Sequence, residues 1–483
     1  MSSENQNLSK VLGRTDVLAL AFGAMIGWGW VMLAGYWVKS AGVWGAVGAF
    51  LIGAVMCIFV GLTYAELTPA LPVTGGGLVF AYRAMGYKWA WVTAWATCLA
   101  YIGVAAWEGI AIATAIDYVI PIPKVGYLWT VAGYEVYLSW SVIGIVFAIL
   151  LTALNYFGAK SSAVFQTMAT AGLTLVGIVF VFGGVIKGNT EFMVPTFTSG
   201  AGMVAVLLMA PSMYVGFDVI PQSAEEMNIP LKQIANVLIV SIIMAASWYI
   251  LMIVGISISA PESVRDTALV PVADAMAYAF GSPFWGKFVI AGALCGILTS
   301  WNGFIVGATR IMYAMGRAKM LPKYFATLHP KYATPAGSTI FIGIICCVSP
   351  LLGKNALVWF VDAASFGTVI TYFMVALSFV MLRKKEPNLE RPFKVANGNV
   401  AGILAVVISA FFISLFLPIG PGSLVWPYEW AMVLGWAVLG IILATATQST
   451  YGKVSDAERE LLIFSEKYAR KEIMNKTEQH EFV

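Results

Sequence analysis

Twelve stretches of roughly twenty apolar residues recur along the 483-residue chain, and no other feature restricts its fold as severely. A run of that length, coiled as a helix, matches the hydrocarbon thickness of a bilayer. No water reaches the bilayer core, so each backbone amide and carbonyl has to be satisfied internally, and a helix does this within one segment. The pattern predicts an all-α polytopic membrane protein of twelve transmembrane helices. They fall near residues 16–39, 43–68, 89–119, 138–156, 161–186, 202–224, 234–259, 284–316, 338–353, 356–382, 401–418 and 429–447. Taking the amino terminus as cytoplasmic, 22 of the 28 Lys and Arg lie in inner loops and tails, with only Lys39, Lys124, Lys187, Arg265, Lys287 and Lys354 outside. That asymmetry follows the positive-inside rule and predicts two cytoplasmic termini.

Composition removes other classes. The chain is 60% hydrophobic and 11% charged, and its net charge of +4 sits in loops, so no nucleic-acid partner is expected. All five cysteines (57, 98, 295, 346 and 347) fall inside apolar runs, which argues against a disulfide frame or a metal site. Two histidines, 329 in a loop and 480 in the tail, make a histidine-centred catalytic site implausible. No Gly-x-x-x-x-Gly-Lys-Ser/Thr motif occurs, so no bound nucleotide or other cofactor is expected, and the chain is not read as an enzyme.

The first apolar run is interrupted by Gly23-Ala24-Met25-Ile26-Gly27-Trp28-Gly29-Trp30-Val31. Each of its three glycines costs a soluble helix roughly 1 kcal/mol relative to alanine. In a membrane, unwound backbone is tolerated only where its freed groups face protein, water or a solute, as in a discontinuous helix at a binding site. A plain glycine kink or a close helix contact is the alternative. A second break, Pro211-Ser212-Met213-Tyr214-Val215-Gly216-Phe217-Asp218, interrupts the sixth run and carries an intramembrane aspartate. If ten runs form two repeats of five, both breaks occupy the first helix of a repeat, and the odd number forces the second copy to insert upside down. This is the inverted-repeat logic of secondary transporters. The halves share no direct sequence identity, so the symmetry rests on hydropathy and break positions.

Two charged residues are unusual for their depth. Glu108, beside Trp107, falls about 6 Å past the centre of the third run at 1.5 Å rise per residue. An acid there faces a cavity or a partner, or is a protonated, hydrogen-bonded structural residue. Lys160 opens the fifth run and either snorkels to the surface or turns inward, where burial would suit it to carry a proton.

Together, these motifs resemble the amino acid–polyamine–organocation superfamily, in its amino acid permease branch, from about residue 10 to 450. The resemblance is carried by Gly27-Trp28-Gly29-Trp30-Val31, by Tyr64-Ala65-Glu66-Leu67 with Leu71-Pro72-Val73-Thr74-Gly75-Gly76, and by Tyr214-Val215-Gly216-Phe217-Asp218 with Glu225-Glu226. Ala308-Thr309-Arg310-Ile311-Met312-Tyr313-Ala314-Met315-Gly316-Arg317, Leu321-Pro322, His329-Pro330-Lys331-Tyr332 and Thr334-Pro335 complete it. It implies a LeuT-like 5+5 inverted-repeat core at residues 16–382, with discontinuous helices 1 and 6. A cytoplasmic loop at 383–400, two extra helices at 401–448 and cytoplasmic tails at 1–15 and 449–483 would surround it.

The resemblance also implies site roles. Backbone groups around Met25, Ile26, Gly27 and Gly29 would hold a substrate carboxylate and amine, with Tyr214, Val215 and Phe217 answering from helix 6. Trp107, Glu108 and Asp218 would contribute to the pocket, and Trp301 would border it. Lys160, within Asn155-x-x-Gly158-x-Lys160, matches a helix-5 lysine of proton-coupled members, where its ammonium takes the place of a sodium ion. Trp28 departs from the small residue usual there. It either faces the pocket, where with Trp107 and Trp301 it could cage an ammonium group, or packs away from it. The expectation is a plasma-membrane permease moving an amino acid or related amine by proton symport with alternating access. An obligatory exchanger, a sodium-coupled symporter and a non-transporting solute sensor are the alternatives.

Overall fold

Hydrophobic runs this long bury their backbone polarity by coiling, and the chain does so along nearly its whole length. The structure is a computed structural model and describes residues 8–470 apart from 269, 419 and 421. Among the described residues, ten helices are long and apolar enough to cross a membrane, and a bent pair, Arg14–Met25 with Gly29–Ala41, makes eleven. The remaining run forms the shorter apolar helix Ala336–Leu352. We number the twelve runs as segments. Segment 1 is the bent pair. Segments 2 to 5 are Val43–Ala70, Tyr87–Val119, Leu138–Tyr156 and Ala159–Lys187. Segment 6 spans Gly200–Glu226, segment 7 Leu231–Ser259, segment 8 Pro283–Arg317 and segment 9 Ala336–Leu352. Segments 10 to 12 are Ala356–Lys385, Gly398–Phe416 and Tyr428–Tyr451.

Segments 3 and 8 are the most buried and form the centre, while segments 11 and 12 expose most of their apolar surface at the periphery. Both described chain ends lie on one face of the bundle, called the terminus face here. There Val11 N–H and Leu12 N–H donate to Glu226 O at the end of segment 6. The same face is cross-linked by carboxylate–guanidinium pairs. Arg310 binds both oxygens of Glu226 (2.8 and 3.0 Å), Arg317 binds Glu225 (2.8 Å), and buried Glu66 pairs with Arg383 and with Arg391 (2.9 Å).

Several elements outside the twelve runs are not signalled by hydropathy. Tyr127–Val131 and Tyr134–Tyr137 form an antiparallel hairpin on the opposite face. Its two turn residues, Ala132 and Gly133, both have positive φ (48° and 80°), the geometry that matches the twist of paired strands. Trp129 Nε1 donates to Leu351 O and Asn355 Nδ2 to Ala132 O, so the hairpin is docked on the junction of segments 9 and 10. The helix Gly77–Met85 follows the Pro-Gly turn after segment 2 and is buried on nearly every side. Last, the charged tail forms the helix Asp456–Tyr468, capped by the Ser455 hydroxyl accepting from Glu458 N–H.

Arg83 locks this tail helix to the bundle. Its guanidinium donates twice to Glu386 (2.7 and 2.9 Å) and once to Glu460 (2.9 Å), and lies 5.2 Å from the ring centre of buried Phe464. Removing one partner from a buried charge network costs on the order of 3 kcal/mol. Arg83→Ala leaves Glu386 without this cation and Glu460 with Arg470 alone. The purified variant is expected to melt well below the unmutated protein. Superimposable melting curves would show that the network adds nothing to stability.

Candidate functional site

The bend in segment 1 measures 49° and falls where the glycines predict it. Helix Arg14–Met25 ends at Ile26, whose N–H still donates to Phe22 O, and the helix restarts at Gly29. Among the described residues, no partner meets the N–H groups of Gly27, Trp28, Gly29 and Trp30, nor the carbonyls of Gly23, Ala24, Ile26 and Gly27. Donors at the start of one half-helix and acceptors at the end of the other therefore face each other across three residues. Such a pair of helix ends attracts an anion on one side and a cation on the other.

Segment 6 breaks alongside. Gly200–Met213 is α-helical, and after Tyr214–Gly216 the chain resumes as the 3-10 helix Phe217–Glu226. Pro211, which has no N–H to give, prepares the break, and Gly216 makes it with φ at 137°, a conformation side chains rarely adopt. A Cβ on Gly216 would lie 2.8 Å from Met25 N and 2.9 Å from Ala24 C. The two breaks thus touch backbone to backbone, and only glycine fits between them.

A cavity of about 40 Å³ lies at this contact. Of the predicted residues, Met25, Gly27, Gly29, Trp107 and Val215 line it, joined by Ala24 and Met213 from the breaks. Segment 8 adds Ser300 and Phe304, segment 7 adds Tyr249, and segment 10 adds Val361, Ala364, Ser365 and Thr368. These last seven were missed by sequence reasoning. The segment 10 set has a legible signal, because 361, 364, 365 and 368 share one helical face and mix small and hydroxyl residues into an apolar run. A second cavity of about 420 Å³ adjoins, lined by segments 6, 10 and 11 in their halves away from the terminus face, and shares Trp107, Ser212, Met213, Val361, Ser365 and Thr368 with the first.

Glu108 stands directly behind Gly27. A Cβ at Gly27 would lie 3.0 Å from Glu108 Oε1 and 3.1 Å from Ser300 Oγ. The glutamate is fully buried, with the Ser300 and Trp107 side chains as its polar neighbours, and among the described residues no cation pairs with its carboxylate. Asp218 contrasts with it. Its carboxylate accepts from Tyr101 Oη (2.7 Å), Gly216 N–H (3.0 Å) and Tyr372 Oη (3.5 Å), so it braces the segment 6 break from behind and does not line the cavity.

Other expected residues are also displaced from the cavity. Tyr214 turns its hydroxyl to Phe50 O, and Phe217 stacks on Tyr372 with ring centres 5.4 Å apart. Ile26 is buried, with its carbonyl turned toward Gly296 of segment 8. Trp28 is buried in packing, and Trp301, one residue past Ser300, points instead at Gly109. Trp107 alone of the three tryptophans lines the site, so they build no cage.

Lys160 also lies apart from the cavity. It is the second residue of segment 5, directly after the Gly158 turn, and its side chain is exposed and absent from both cavities. Segments 1, 5 and 8 are tied to one another by neutral groups. Gln166 Nε2 donates to Ala19 O (3.2 Å) and Thr299 O (3.1 Å), and Thr170 Oγ1 donates to Ala19 O (3.3 Å).

A cavity between two discontinuous helices of a polytopic membrane protein is the arrangement of a solute transporter. A family model described as amino acid permease matches residues 12–442. The chain therefore belongs to the amino acid permease family, a family of transporters and not of enzymes. Over 451 residues it is 27% identical to a branched-chain amino acid permease of Bacillus subtilis, covering 92% of this chain and 94% of that protein. It is 24% identical over 424 residues to a methylthioribose transporter of the same organism, covering 85% of this chain and 89% of that one. Human cationic amino acid transporter 4 is 28% identical over 397 residues, which span 79% of this chain and 61% of the human protein.

The contact between the breaks generates a direct expectation. Gly216→Ala places a methyl group against Met25 backbone at a φ that costs roughly 1–3 kcal/mol, and Gly27→Val drives a branched side chain into Glu108 and Ser300. Both variants are expected to insert normally and to lose solute uptake by about tenfold or more. Undiminished uptake per inserted molecule would sever the site from the breaks.

Proposed function

We propose that the protein is a proton-coupled symporter for an α-amino acid with an apolar side chain, working by alternating access at the plasma membrane. The reading rests on one observation above the rest. Among the described residues, Glu108 is a buried carboxylate with no cationic partner, set beside a helix break whose N–H and C=O groups are also free. A lone charge at that depth is costly, so the site calls for a cation or a proton there. A substrate ammonium at the free carbonyls meets this need, and its carboxylate fits the N–H groups of Gly27 to Trp30. Between substrates, Glu108 holds the coupling proton, the role that sequence resemblance implies for Lys160.

The side-chain class follows from the lining. Val104, Met213, Val215, Phe304, Val361 and Ala364 surround the cavity, and the larger cavity beyond is mostly apolar. The name of the Bacillus branched-chain relative agrees with this. With both termini in the cytoplasm, as the loop charges argue, the ion-paired terminus face is the closed inner gate and the 420 Å³ cavity is the outer vestibule. Residues 16–382 then act as a core of two inverted five-helix repeats, with segments 11 and 12 outside it and short cytoplasmic tails. A cationic side chain is the second reading, favoured by Asp362 on the wall of the outer cavity and by the named cationic transporter among the relatives.

Proteoliposomes test the proposal. Leucine, isoleucine or valine is expected to accumulate when the exterior is acidified, with no response to sodium. Glu108→Gln is expected to abolish gradient-driven accumulation and to weaken binding about tenfold, the effect of one charge-assisted hydrogen bond. Sodium-driven, pH-independent accumulation would overturn the coupling, strict dependence on internal amino acid would mark an exchanger, and stronger competition by arginine than by leucine would move the substrate to the cationic class.

A further inference from the structure

The backbone at the segment 1 break receives a single side-chain hydrogen bond. Among the described residues, only Tyr249 Oη reaches residues 23–30, donating to Met25 O at 2.8 Å. Tyr249 belongs to segment 7, is 1% exposed, and its side chain forms part of the cavity wall. Its ring is held on three sides. Phe50 stacks beneath it at 5.2 Å with planes 30° apart, while Tyr214 and Trp37 meet it edge-on, each at 5.8 Å.

We propose that Tyr249 is a positioning residue for the substrate's amino group, a role that rests on the amino acid reading above. Met25 O is the final carbonyl of the first half-helix, and a carbonyl has two lone pairs. The Tyr249 hydroxyl takes one of them and thereby fixes the direction of the other. Because that hydroxyl spends its own proton on Met25, its oxygen faces the cavity as an acceptor only. An incoming ammonium, which carries donors and no acceptor, is complementary to both oxygens, whereas a group needing a donor finds none there.

The ring packing supplies the rigidity. A phenol wedged among Phe50, Tyr214 and Trp37 has little rotamer freedom to lose, so the acceptor pair stands ready before substrate arrives. The placement also links the three elements that meet at the site. Phe50 belongs to segment 2 and Tyr214 to the segment 6 break, and Tyr214 in turn donates to Phe50 O. Tyr249 therefore registers the segment 1 break against the segment 6 break through side chains, where Gly216 does so through backbone.

Tyr249→Phe tests this, with KM, Vmax and melting temperature measured on the same preparation in proteoliposomes and detergent. The expected result is a KM raised about tenfold, Vmax within about twofold, and an almost unchanged melting temperature. Inhibition of uptake by the α-hydroxy acid analogue of the substrate should be equal in both proteins, because it has no ammonium to position. A lowered melting temperature with unchanged KM would overturn the proposal and leave the hydroxyl as a helix cap. Weakening of the hydroxy acid by the same factor would also overturn it. Should Tyr249→Phe fail to accumulate folded, Phe50→Leu keeps the hydroxyl and removes the ring beneath it. A raised KM there supports positioning, and an unchanged KM contradicts it. If the unmutated protein moves no amino acid, it is the function proposed above that fails.

Discussion

Unsatisfied backbone in a low-dielectric interior is the constraint on which this structure turns. A membrane helix that stops and restarts leaves donors and acceptors that lipid cannot solvate, each costing several kcal/mol. The chain breaks two helices and presses the breaks together, with Gly216 against the backbone of Ala24 and Met25. Concentrated in one place, the freed groups are available to a solute, and the proposed function makes them its recognition surface. The same groups scattered along separate helices would only destabilise the fold.

Much of the surrounding structure reads as support for that contact. Asp218, Tyr101 and Tyr372 satisfy the back of the segment 6 break, and Gln166 and Thr170 hold the first half of segment 1 to segments 5 and 8 through Ala19 O. These polar groups are buried but bonded, so they confer geometry without asking for a ligand. Glu108 differs from them in having no cation against its buried carboxylate among the described residues, which is why the proposed function gives it a binding role. At the terminus face, Glu225, Glu226 and Glu66 pair with arginines, which ties the segment ends together there, while the 420 Å³ cavity lies toward the other face.

The lines of the fold were legible because the membrane makes hydropathy decisive. Segment 4 falls where the apolar run predicts it, and the other segments differ by a few residues at their ends, where caps and snorkelling side chains extend a helix past its apolar core. Both breaks were legible from glycine and proline, and Glu108 from its depth. Which way a side chain faces was not. A helix apolar all round has no sided pattern to read, so Ser300 lines the cavity while Trp301, about 100° further round, packs on Gly109. Tyr249 escaped notice for the same reason. The motif around Lys160 carries no sign of side-chain direction either: the residue sits in the first turn after Gly158 with its side chain exposed.

The central claim is that the touching breaks bind the charged ends of an amino acid. A cryo-electron microscopy map of the protein in lipid nanodiscs with saturating substrate tests it most directly. The account predicts ligand density between the breaks, its carboxylate within hydrogen-bond reach of the Gly27 to Trp30 amides and its ammonium beside Met25 O and Glu108. Ligand density confined to the outer cavity, with the backbone of residues 23–30 untouched, would contradict it.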